Sequence, residues 1–267
     1  MTNDDGIDSP GLAVLAEVAL EAGFEVVVAA PATEHSGASA SLLGVESDGR
    51  LLYEERPAPG LPAGVRSFAV RAAPGLIGFL AAQDGFAGRP DLVLSGVNRG
   101  ANTGNAVIHS GTVGAAFSAA THGIRAMAVS LGSARPRHWP TAGAVAAHAL
   151  PWVLAQDAGR VLNVNVPDLP LAELRGVVRA PLAGFGAVQA RVDAAGEGAL
   201  IVTYAEIDPG RDTAAHPGSD AGLLAAGFAT LTLLRAPYAD DDADLPEHPD
   251  GPPPRRPGWP GAGSQRA

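Results

Sequence analysis

The chain has 267 residues, 46% hydrophobic and 17% charged, which is enough for one large domain or two small ones with a sizeable core. Its net charge of −10 and its lack of Cys exclude a general nucleic-acid binder, a disulfide framework and a thiolate zinc site. All 18 basic residues are Arg, so a Walker-type phosphate loop, a Schiff-base lysine and a Ser-x-x-Lys nucleophile are excluded too. A small anionic substrate stays compatible with this charge, because a bound cation reverses the local field. No run of about 18 apolar residues predicts a membrane span, and a cytoplasmic location is expected.

Asn3-Asp4-Asp5-Gly6 opens the chain, and Ser9-Pro10-Gly11 starts a predicted helix. Ser9 is suited to cap it, Pro10 to its first turn, and Gly23 to its end. Leu12, Leu15, Val18 and Ala19 share one face of it. Phe24 to Ala30 reads as a nearly continuous apolar strand stopped by Pro31, the pattern of a parallel strand buried on both faces. Residues 92–94, 127–131 and 161–166 repeat that signal, with helices predicted at about 112–122 and 141–155. Alternating strands and helices predict an α/β fold, a doubly wound, largely parallel, Rossmann-like sheet.

The later chain differs. Residues 175–235 hold strand-like pieces at 199–204 and 228–234, read as hairpins or an appended sub-domain, that is, a C-terminal β-hairpin extension. Residues 237–267 are rich in Pro and Asp and read as a disordered tail, dispensable for catalysis by the domain at 1–236.

Three small, polar, Gly-rich segments fall where strands end. Adjacent carboxylates within a strand point to opposite faces, but at its carboxyl end Asp4 and Asp5 can converge on one hard cation. Left to themselves they are also compatible with a solvated Asp-Asp-Gly turn. Ser36-Gly37-Ala38-Ser39 and Ser95-Gly96-Val97-Asn98 follow later strands on the same edge, where open α/β sheets bind ligands. A Ser hydroxyl and an Asn amide oxygen could complete an oxygen shell. Ser110-Gly111-Thr112 precedes a helix, whose first N–H groups and positive dipole end suit a phosphate, or else simply need a cap. His109 beside it is either a general acid or structural. A metal-dependent phosphate-ester hydrolase follows from the combination.

These segments resemble the SurE family of 5′-nucleotidases (survival protein E). The resemblance runs through Asn3-Asp4-Asp5-Gly6-Ile7, Ser36-Gly37-Ala38-Ser39, the run from Ser95 to Gly104, and Ser110-Gly111-Thr112-Val113. Residues 162–167 and 218–232 are similar to later family motifs, so it spans about residues 3–234. It implies one divalent ion per subunit, Mg²⁺ or Mn²⁺, held by Asp4, Asp5, Ser36 and Asn98. It implies phosphate contacts from Asn102, Ser110, Gly111 and Thr112, and a water oriented or deprotonated by Asp4 or Asp5.

The implied substrates are nucleoside 5′-monophosphates, with 3′-monophosphates and short polyphosphate alongside, in a homodimer or homotetramer. Nucleic acid and membranes are not expected partners. The chain departs from the family at Ala73-Pro74-Gly75-Leu76 and at Phe117-Ser118-Ala119, where members carry other residues. Only Met1 and Thr2 precede Asn3, where members begin with an apolar strand, so a functional product starting upstream is expected. A phosphate- or nucleotide-binding protein without turnover is the alternative reading.

Overall fold

A computed structural model describes residues 1–184, 188–194, 200–206 and 216–235, with side chains described outside 185–215. The tail expected at 237–267 lies outside the described residues. In chain order the elements are α1 (Pro10–Glu21), β1 (Val27–Pro31), β2 (Glu46–Ser47), β3 (Arg50–Leu51), β4 (Tyr53–Glu55), β5 (Arg66–Val70) and α2 (Pro74–Ala82). Then follow β6 (Leu92–Arg99), α3 (Gly111–Ala120), β7 (Arg125–Leu131), α4 (Trp139–Leu154), β8 (Arg160–Val166), β9 (Val177–Arg179), β10 (Val188–Ala194), β11 (Leu200–Glu206), α5 (Asp220–Ala225) and β12 (Ala229–Arg235).

One group of strands runs β6-β7-β8-β12-β9 and the other β1-β5-β4. β6, β7 and β8 are mutually parallel, as are β1 and β5, while β12 runs antiparallel to β8. Met1 and Thr2 join the two groups: Thr2 N–H donates to Leu94 O at 3.0 Å, and Ala29 N–H donates to Met1 O at 2.9 Å. The two residues ahead of Asn3 thus act as a strand-like link between β1 and β6. Burial pushes the Met1 amino group down to about 5. Toward the start of β1 and β6 the strands part around a cleft of about 250 Å³, lined by Phe24, Val26, Val27, Leu92 and Val93 among others.

Helices cover both faces. α1 packs on α4 over one face and α2 on α3 over the other, which is the doubly wound arrangement. Strand alternation sorts the core between them. Met127, Val129 and Leu131 of β7 join the cluster with α1 and α4, and Ala126 and Ala128 join the one with α3. The α2–α3 side is built from small residues because it packs backbone to backbone. A side chain on Gly78 would overlap the Ala115 carbonyl oxygen, and one on Gly114 the Ser39 carbonyl.

The structure revises three local expectations. Ser9 sits at the helix start but caps nothing with its side chain; Pro10 alone sets that turn, and the buried Ser9 Oγ has no partner among the described residues. β1 starts at Val27 and includes Pro31, so Phe24 to Val26 lead into the strand rather than form it. The piece at 228–234, β12, is not part of a hairpin but a member of the main sheet, because it returns beside β8 and β9 pairs with it in parallel at the sheet's edge. The hairpin extension itself is β10–β11, antiparallel from Val188↔Glu206 to Ala194↔Leu200. No helix of the described residues is long and apolar enough to cross a membrane.

Gly78→Val should lower the melting temperature by about 5–10 °C, because the new side chain must push α2 and α3 apart. An unchanged melting temperature would show that this contact is slack.

Candidate active site

The carboxyl ends of the parallel strands gather every candidate residue of the first 112 at one edge. The local folds explain why. Asn3 is fully buried and closes a turn on Gly6, donating Nδ2–H to Gly6 O at 3.0 Å and accepting Gly6 N–H at 3.2 Å. That turn presents Asp4 and Asp5 just beyond the Met1–Thr2 link. The loop after β1 is held to it by His35 N–H donating to Asp4 O at 2.8 Å, which brings Glu34 and Ser36 to the same edge. β6 breaks its ladder with β7 between Ser95 and Asn98, where the Gly96–Val97 peptide bond is cis.

Asp4 and Asp5 part company at their side chains. Asp4 is 5% exposed and accepts the hydroxyl proton of Thr112, which is itself fully buried at the start of α3. Gly111 is obligatory beside it, since a Cβ there would lie 2.8 Å from the Asp4 carboxylate. Burial raises the Asp4 pKa from 3.8 to about 6; bonds from Thr112 pull it down and the Asp5 charge pushes it up. Asp5 turns the other way. Its Oδ1 accepts Arg99 Nε–H at 2.9 Å and its Oδ2 accepts the Arg99 backbone N–H at 3.1 Å. Burial still raises its pKa, against the Arg99 hydrogen bond and charge.

Ser36 is exposed and its hydroxyl donates to Glu34 Oε1 at 2.6 Å, leaving its lone pairs open. The Asn98 amide nitrogen donates to Gly100 O at 2.8 Å, which leaves its carbonyl oxygen free to ligate. Ser110 caps α3, accepting Val113 N–H at 3.1 Å. Thr112 uses its hydroxyl on Asp4 rather than holding it open. Asn102 is the centre of a network that the sequence did not disclose. Its N–H donates to Asn165 Oδ1 at 2.7 Å and its Nδ2–H to Ser130 Oγ at 2.8 Å. Its carbonyl accepts from Asn163 at 2.8 Å and Asn165 at 2.9 Å. His109 ends the turn before α3 and is exposed.

Reading residue by residue missed four partners: Glu34, Arg99, the Asn163–Asn165 pair and Asp220. Two Asn at alternate positions of an apolar strand share one face, and that was a visible signal. Asp220 is fully buried and accepts the N–H groups of Gly104, Ala183 and Ala221, at 2.9, 2.8 and 2.8 Å, pinning the segment that leads into α3. Its burial raises its pKa despite those bonds.

The donor set fits a hard divalent cation. Asp4 is a buried carboxylate with no cationic partner among the described residues, an arrangement that is costly unless a charge arrives to offset it. No three His, Cys, Asp or Glu of the described residues converge on a metal position. Two carboxylates and two neutral oxygens are hard donors, the kind a hard divalent cation takes.

The raised Asp4 pKa has a testable sign. The native carboxyl binds its proton more tightly than the unfolded one, so metal-free stability from this group is greatest below about pH 4 and falls as pH rises through about 6. Moving it from 3.8 to about 6 corresponds to roughly 3 kcal/mol. In EDTA, urea midpoints should drop across this window, and Asp4→Asn should flatten the slope. The same slope in Asp4→Asn would assign it to another group.

The family model for survival protein SurE matches residues 1–185. A 5′-nucleotidase SurE 1 of Burkholderia lata is 38% identical over 251 residues, covering 91% of this chain and 82% of that protein. A 5′/3′-nucleotidase SurE of Shigella dysenteriae is 35% identical over 237 residues, covering 88% of each. The crystal structure of the SurE protein from Aquifex aeolicus superposes with a TM-score of 0.70 at 27% identity, over 90% of this chain and 93% of that one. With the motif segments gathered at one sheet edge and these matches spanning most of its length, the chain belongs to the SurE family.

Proposed function

We propose that this chain is a divalent-metal-dependent phosphomonoesterase that hydrolyses nucleoside 5′-monophosphates to nucleoside and phosphate. In this reading 3′-monophosphates and short polyphosphate are further substrates. Family membership and the relatives' names support the nucleotidase activity. The observation that carries the site is the buried Asp4 carboxylate, with no cationic side chain paired to it among the described residues, set against the N-terminus of α3.

Asp4, Asp5, Ser36 and Asn98 would hold Mg²⁺ or Mn²⁺. When bound, the ion supplies a Lewis acid for a phosphoryl oxygen and a lowered pKa for water. The chain's own residues do the rest. Gly111, having no side chain, lets the Asp4 carboxylate lie against the helix end. Gly111 N–H, the Ser110 hydroxyl and Thr112 meet the charge that develops on its oxygens. Thr112 would share its donors between phosphate and Asp4. Asn102, clamped by Asn163, Asn165 and Ser130, lines the same space in a fixed orientation. Asp4 or Asp5 orients or deprotonates the attacking water. Exposed Leu42, Leu43, Val45 and Tyr53 support assembly into a homodimer or homotetramer. A chain without Cys needs no oxidising compartment, in keeping with work in the cytoplasm.

The test is phosphate release from a panel of 5′- and 3′-nucleotides and polyphosphate by EDTA-stripped protein with Mg²⁺ or Mn²⁺ restored. Activity should require the ion, and Asp4→Asn or Asp5→Asn should lower kcat/KM at least about 100-fold, the upper end of what losing a supporting partner of a metal ligand costs. Full turnover after exhaustive chelation would overturn the metal role. Nucleotide binding without release would point instead to a binding protein.

A further inference from the structure

Arg99 and Glu34 stand at the same edge, and the reaction as described uses neither. Both oxygens of Asp5 are taken by Arg99, one by its Nε–H at 2.9 Å and one by its backbone N–H at 3.1 Å. The Asp5 side chain is 4% exposed, so Arg99 offsets a charge that water barely reaches. The same guanidinium sends Nη2–H to Glu34 Oε2 at 3.3 Å, and Glu34 is in turn held by the Ser36 hydroxyl at 2.6 Å. The Arg99 side chain is 39% exposed and the Glu34 side chain 56% exposed, so the guanidinium has room to move between its two carboxylates. It stays charged throughout, since both partners favour the protonated form.

We infer that Arg99 and Glu34 form a positioning pair that sets how strongly Asp5 holds the divalent ion. This rests on the metal-site reading above. Without an ion, Arg99 is the counter-cation that lets Asp5 stay buried and ionised. When an ion arrives it meets a positive group already bonded to its ligand. Glu34 supplies the alternative seat, drawing the guanidinium off Asp5 while remaining fixed by Ser36. Arg99 therefore weakens ion binding and Glu34 relieves that effect. The pair acts through Asp5 and touches no reacting atom, so its signature is ion affinity rather than a chemical step.

The experiment is a double-mutant cycle on Mn²⁺ affinity, read by electron paramagnetic resonance of free Mn²⁺ in phosphate-free, low-salt buffer, with no substrate. Arg99→Gln should tighten Mn²⁺ binding by about ten-fold, a modest share of the repulsion expected between charges this close. It should also lower the melting temperature in EDTA, because Asp5 is left buried without a counter-cation, holding only the backbone N–H of residue 99. Glu34→Gln should weaken binding about three- to ten-fold, and that weakening should largely vanish in the Arg99→Gln background. Arg99→Lys, which keeps the charge, should stay nearer wild type than Arg99→Gln.

Unchanged or weaker Mn²⁺ binding by Arg99→Gln would overturn the inference while leaving the metal site intact. So would an equal Glu34→Gln effect in both backgrounds, which would make Glu34 a direct attractor of the ion. Should Arg99→Gln not fold, unchanged affinity in Glu34→Gln is decisive against the pair. Wild-type protein that binds no Mn²⁺ would overturn the metal reading and this inference with it.

Discussion

A buried carboxylate accepting a buried hydroxyl across 108 residues of chain, Asp4 against Thr112, is the contact around which this sheet edge is organised. Burying Asp4 carries a desolvation cost that a single hydroxyl does not remove, and the raised pKa records it. The helix end is the compensating element, because its positive dipole favours an anion there. That choice constrains the neighbours. Position 111 must be glycine to make room for the carboxylate, and the start of α3 must lie close to the strand end. Close approach in turn requires small residues along α3 and at Gly78, and the rest of that face of the sheet follows.

The electrostatics of the edge run against those of the molecule. The chain carries a net charge of −10, yet its proposed substrate is an anion. Local charges resolve the conflict. Arg99 offsets Asp5, the α3 dipole offsets Asp4, and a divalent ion would add two further positive charges where the two carboxylates begin. No lysine takes part, so cationic character among these residues comes from a planar guanidinium with fixed donor directions and from backbone dipoles.

Rigidity comes from a second tier that never reaches the edge itself. Asn163 and Asn165 grip the Asn102 carbonyl from β8, two strands away from β6, and Asp220 takes three backbone N–H groups, one from Gly104. These groups are buried and neutral or paired by hydrogen bonds, so they constrain the loop between β6 and α3 without adding a cation. The later part of the chain thereby fixes the geometry of the earlier part. β12 completes the same arrangement by returning beside β8 and carrying α5 back to the loop.

Local pattern was enough for much of this. Apolar runs at 92–94, 127–131 and 161–166 became β6, β7 and β8, and the predicted helices became α3 and α4 within a few residues, because periodicity reports burial directly. Ser110 could be read as a cap because its partner lies three residues away. That the motif segments meet at the carboxyl edge also followed from their positions alone. Pairings across long separations did not. Nothing near Thr112 announces that its hydroxyl serves Asp4, nor anything near Arg99 that it seats on Asp5 and Glu34. β12 looked like a hairpin piece because a strand's sequence does not record which neighbour it will choose. The sequence by itself determined the elements, the family and the kinds of atoms gathered at one edge, since these rest on local burial and composition. Only the tertiary structure decided which carboxylate met the hydroxyl and which met the guanidinium, since that depends on where three strand ends and a helix start come together in space.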